Sequence, residues 1–171
     1  MYTERKPSLG LTIPTGEKYH DFNNVGLGGR SWKELRKPIS SKEFRITDTA
    51  NDLGKNLKTL PHQENANFIA ISVASLGLVG IPKIEEIYAA AESKGLEMCP
   101  AEAGPVLRTI YIDQPKGEIL HIAMDPIKNI LGRSDIFKLE SSGGTLTLDT
   151  AWGDKGTIWN QKDMFVFKVR K

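Results

Sequence analysis

Cys99, Glu102 and His121 are the residue types from which a small hydrolase or transferase builds a nucleophile, an orienting carboxylate and a base. Cys99 is the only cysteine in the 171-residue chain, so no internal disulfide forms. It stands either as that nucleophile or, more plainly, as a small buried hydrophobe beside Met98. No basic cluster adjoins it in the sequence to lower its pKa. Glu102 and Arg108 are expected to pair across a proline-punctuated loop; alternatively Arg108 clamps an anionic ligand. Glu118 and Asp125 would lie about 23 Å apart on a regular strand. That is too far for a two-carboxylate glycosidase. His20, His62 and His121 show neither HxH nor HExxH spacing, so no metal site is expected and no cofactor is implied.

Two further clusters suit binding rather than catalysis. Gly28, Gly29 and Arg30 offer consecutive backbone N–H groups and a guanidinium to an anion, although the P-loop ending is missing. A flexible turn without a strong preceding strand is the plainer reading. Trp152 and Trp159 bracket a loop carrying Lys155, an arrangement that can stack on a sugar or a base. The plainer alternative places both indoles in the core.

Elements must position these residues. Ser31 and Glu34 form a capping box, and Pro38 should end that helix early. Thr47 and Asp48 cap a second helix whose apolar stripe runs through Leu53 and Leu57 to Leu60. A third helix follows Pro82, with Ile84, Ile87, Tyr88 and Ala91 on one face and Gly95 as its stop. Residues 68–74 are apolar on both faces and suggest a central strand. Residues 106–112 are rich in β-branched side chains and read as a strand paired with residues 119–124. His121 would then be half exposed on the sheet. Gly143 and Gly144 mark a hairpin between residues 136–140 and 145–150. Residues 164–169 alternate, which predicts one wet and one packed face.

The expected architecture is α+β: a mostly antiparallel twisted sheet of five or six strands with two or three helices on one face. Residues 1–45 read as a basic arm with a short helical piece, and residues 46–171 as a single domain. Lys and Arg number 23 against 21 Asp and Glu, a net charge of +2 that does not by itself imply nucleic acid. No apolar run is long enough to span a membrane. The first residues show no apolar leader pattern, so a cytoplasmic location is expected.

Residues 95–126 carry Gly-Leu-Glu-Met-Cys-Pro-Ala-Glu-Ala-Gly-Pro, then Leu107-Arg108, Asp-Gln-Pro-Lys-Gly-Glu and Ala-Met-Asp-Pro. This stretch resembles a segment of a family of small bacterial proteins sharing a Gly-Leu-Glu-x-Cys-Pro-Ala-Glu-x-Gly-Pro signature. The resemblance extends in organisation over residues 66–171, is specific only in the middle and leaves out the arm. It implies a recurring structural element and brings no activity with it. The expected function is therefore a non-enzymatic binding or interaction module with a loop-built surface for a small molecule, glycan or protein. One alternative is a hydrolase or transferase using Cys99, His121 and Glu102. Another is nucleic-acid binding through the basic arm and the basic C-terminal strands.

Overall fold

Lys83 precedes a run whose apolar residues recur every three to four positions, and that run is helical over Ile84–Ser93 (α3) in the computed structural model. The Glu86 carboxylate accepts the Lys83 N–H at 2.8 Å, closing the first turn. Gly95 follows the helix with φ +81°, the left-handed conformation expected of it. Ile84, Ile87 and Ala91 are buried, as the periodicity requires.

The structure describes residues 11–40 and 44–171. Among these, the remaining helices are Trp32–Ile39 (α1), Asp48–Lys55 (α2) and Ala103–Ile110 (α4). The strands are Tyr19–Leu27 (β1), Phe44–Ile46 (β2), Glu64–Ser72 (β3), Leu96–Glu97 (β4), Ile119–Ile122 (β5), Ile127–Lys128 (β6), Ser134–Ser142 (β7), Thr145–Trp152 (β8) and Met164–Val169 (β9). They form one sheet in the order β1-β3-β9-β5-β7-β8-β2, with β4 added to β9 and β6 to β7. Two pairs, β5–β9 and β2–β8, are parallel and the others antiparallel. The α+β class and the mostly antiparallel sheet are as expected, with nine strands and four helices in place of the smaller numbers anticipated.

The β7–β8 hairpin turns on Gly143 and Gly144, both at positive φ, as two adjacent glycines permit. Other elements differ from expectation. Residues 106–112 do not form a strand; most of them belong to α4, whose residues Ala103 to Arg108 are all buried. A helix apolar on every side belongs inside a protein. Pro105 is tolerated because the first-turn N–H groups of a helix have no intrahelical partner. α4 packs against α1, β1, β7 and β8, so the sheet curls around it. Gly104 permits the closest approach: a Cβ there would stand 2.8 Å from Phe137 Cβ. β5 accordingly pairs with β7 and β9 rather than with residues 106–112.

β3 ends at Ser72, and Val73–Leu76 winds into a short 3-10 turn capped by the Ser72 hydroxyl. α2 stops at Lys55, leaving Leu57 and Leu60 outside it. β9 is drier than its alternation implies: Phe165, Val166 and Phe167 are all buried, and only Met164 and Lys168 stay partly exposed on one face. Of the segment read as an arm, residues 1–10 and 41–43 lie outside the described residues; the rest supplies β1, α1 and the first two residues of β2. β1 pairs with β3 along most of its length, and Phe22, Val25 and Leu27 enter the core.

Ile87 is fully buried. Replacing it with alanine is expected to lower stability by about 2–5 kcal/mol, measured as a shift of the urea unfolding midpoint.

Candidate functional site

The side chains proposed for catalysis are committed to the scaffold. Cys99 is buried, its thiol donates to the Val166 carbonyl at 3.2 Å, and burial pushes its pKa up. His121 is not half exposed: only 8 % of it reaches solvent. It packs between Trp159 and Phe165, with ring centroids at 4.6 and 5.3 Å. Its Nδ1 lies 3.1 Å from the Met164 carbonyl, an acceptor, so Nδ1 carries the proton. Burial depresses its pKa to about 4. Glu102 is fully buried, and its two oxygens accept the Gly28 N–H at 2.8 Å and the Leu60 N–H at 2.6 Å. The thiol and the imidazole therefore hydrogen-bond to two carbonyls of β9, and the carboxylate to Gly28 and Leu60, and none of the three bonds to another.

Glu102 does not pair with Arg108. The Arg108 guanidinium is fully buried and donates to Gln114 Oε1 at 2.6 Å and to the Tyr111 carbonyl at 2.5 Å. It lies 5.9 Å from the Phe44 ring centroid. Among the described residues no carboxylate forms an ion pair with it, and burial lowers its pKa to about 10. Glu102 opens α4 and Arg108 lies in its last turn, each complementing the helix dipole.

The Gly28 and Gly29 N–H groups are not open to a ligand. Gly28 donates to Glu102 and Gly29 donates to the Leu60 carbonyl at 2.9 Å. The anion held by this loop is the protein's own carboxylate. A Cβ on Gly28 would lie 1.9 Å from the His62 carbonyl oxygen, which explains the glycine. Arg30 turns back to the Gly26 carbonyl at 3.0 Å. The loop leaves a nine-residue strand, β1, which the sequence reading missed.

The two tryptophans separate. Trp159 is buried beside His121, whereas Trp152 is 61 % exposed with the Arg133 guanidinium 5.7 Å from its ring centroid. Lys155 is exposed on the intervening loop. On the C-terminal strand, Lys168 pairs with Glu64 and Glu97, and Arg170 with Glu97. That part of the expected basic surface is neutralised.

An accessible cluster lies elsewhere, between α1 and α2. Leu35 and Ile39 anchor α1 to the core, and Ala50 and Leu53 anchor α2. Gly54 admits the Trp32 indole so closely that a Cβ would stand 2.2 Å from the ring. Between the helices is a groove of about 350 Å³ lined by Trp32, Lys33, Arg36, Lys37, Asn51 and Lys55, with Ser40 at one end. No acidic side chain lines it. Glu34, the acid on α1, is held by the Ser31 N–H at 2.7 Å and hydroxyl at 2.8 Å, which lower its pKa. Among the described residues, Lys33, Arg36 and Lys37 form no ion pair. Lys33 and Lys37 are four apart on a helix, a repulsive spacing for like charges.

Sequence reasoning missed this site. The spacing of Lys33, Arg36 and Lys37 was visible, but the seating of Trp32 on Gly54 joins residues far apart in the chain. Comparison with protein-family models, curated proteins and solved structures gives no match. Among the described residues no group of His, Cys, Asp and Glu is arranged to hold a metal ion. No helix there is long and apolar enough to cross a membrane.

Replacing Glu102 with glutamine sets an amide NH₂ against one of the two backbone N–H groups. A loss of about 1–3 kcal/mol is expected from urea unfolding. His121 gives a pH signature. Between pH 6.5 and about 4 the unfolded chain binds a proton at this ring and the folded protein does not, so stability falls as pH falls through that window. The nearby Lys138, Asp163 and Glu140 charges contribute less than burial does. The slope approaches ~1.4 kcal/mol per pH unit, and His121→Asn should remove it from the stability–pH profile.

Proposed function

We propose that the protein is a non-enzymatic binding module whose site is the α1–α2 groove and whose ligand is anionic. The observation that carries this reading is the composition of the groove wall: an indole, three cations that form no ion pair among the described residues, and Lys55, which is paired with Asp52 outside the lining. The repulsion among these cations is a standing cost that a bound anion relieves. The indole adds an apolar surface against which a planar or aliphatic group can rest. The alternative using Cys99, His121 and Glu102 is less favoured, because each group already serves a main-chain contact.

Calorimetry with tripolyphosphate and with a glutamate-rich peptide at low ionic strength tests the reading. Binding should weaken as salt is added. Lys33→Glu combined with Arg36→Glu should weaken it by about tenfold or more, since two attractive charges become repulsive. Absence of binding at low salt, or equal binding by the charge-reversed variant, refutes the proposal.

A further inference from the structure

The basic groove does not stand alone. Asn51 and Lys55 also line a second groove of about 350 Å³, formed by the other flank of α2 and residues 129–133. Its chemistry differs. Asp48 and Asp52 line it, and its outer wall is Ile130 and Leu131, exposed by 83 % and 78 %. These two side chains are held in water by a fixed loop. The Asn129 side-chain oxygen, Oδ1, accepts the Leu131 N–H at 2.9 Å and the Arg133 N–H at 3.0 Å. Its amide donates to Asp135 at 2.7 Å, and Asp52 accepts the Ile130 N–H at 3.2 Å. Single exposed apolar residues need no explanation, but an adjacent pair on a braced loop at the rim of a groove marks a contact surface.

We infer that the two grooves together receive one extended peptide segment, its acidic side chains lying against Lys33, Arg36 and Lys37 and an apolar side chain lying against Ile130 and Leu131. This rests on the anionic-ligand reading of the first groove and extends it to a class of partner: a protein with an acidic stretch next to an apolar anchor. Charge complementarity selects that occupant. The second groove is lined by two acids, Asp48 and Asp52, and two bases, and both bases are already engaged, Arg133 with Asp135 at 3.7 Å and Lys55 with Asp52 at 3.9 Å. A nucleic-acid strand, charged at every residue, is attracted by the first groove but meets only paired bases and two acids in the second. A peptide can change from acidic to apolar along its length.

The test uses fluorescence anisotropy with the full chain and three labelled probes: a glutamate-rich peptide bearing a leucine, the same peptide with alanine in its place, and an oligothymidylate. Anionic phosphatidylserine vesicles are assayed in parallel by co-sedimentation. The leucine peptide should bind about tenfold more tightly than the alanine peptide, as burial of one aliphatic side chain provides. That advantage should vanish in Ile130→Ser/Leu131→Ser, whose exposed positions leave the core intact, with an unchanged thermal midpoint as the check on folding. Lys33→Glu/Arg36→Glu should weaken both peptides. Equal binding of the two peptides, or a leucine advantage that survives the serine variant, overturns the inference while leaving the anion site standing. Insensitivity to the charge reversal overturns the function proposal itself. Tighter binding of oligothymidylate assigns the groove to nucleic acid, and vesicle binding lost in the serine variant assigns the loop to a membrane surface. Either result displaces the peptide.

Discussion

The Glu102 carboxylate ties together three parts of the chain, reinforcing the Gly29–Leu60 main-chain bond and the packing of α4 on β1. One oxygen holds the end of β1 through Gly28, and the other holds the segment after α2 through Leu60. Glu102 itself begins α4, the helix around which the sheet curls. A carboxylate is tolerated at full burial only when its oxygens are hydrogen-bonded. The two N–H groups meet that need, and the helix dipole adds to it. The constraint is mutual. Gly28 must lack a side chain because the loop that reaches Glu102 also passes the His62 carbonyl.

At the other end of α4, Arg108 faces the same burial problem and meets it differently. Its charge is spread over a carbonyl, an amide oxygen and an aromatic ring instead of a single counter-ion. The lowered pKa records the cost of desolvation. Tyr111, Gln114 and Glu118 are linked to this arrangement through short contacts, including Tyr111 Oη donating to Glu118 at 2.8 Å. The loop that attracted attention for its cysteine, proline and acidic residues is therefore an internal brace.

What was legible in the sequence was local. α3, its glycine stop and the β7–β8 hairpin follow from short-range spacing and from glycine's access to positive φ. The core role of residues 68–72 was visible in an apolar run without alternation. α4 was not legible, because Val106, Thr109 and Ile110 favour strands and Pro105 suggests a break; burial on all sides overrode both. Nor was the central position of β9, since Lys168 and Arg170 suggest an edge strand, whereas β3 and β5 pair with it on both sides. The candidate site was half legible. The cations of α1 stand in plain view in the sequence, but the groove exists only because Gly54 of α2 accepts Trp32 of α1.

β9 is the last-made strand of this sequence, yet it lies in the middle of the sheet, between β3 and β5. On a ribosome, β1 with β3 and β5 with β7 and β8 can form as two separate ribbons before it appears. Each ribbon then waits with an unpaired inner edge, the kind of surface that recruits foreign strands. Joining them requires contacts distant in sequence, which slows folding and lengthens that exposure. Closure of the sheet thus depends on β9, and until it inserts the facing edges of β3 and β5 stay open to other strands.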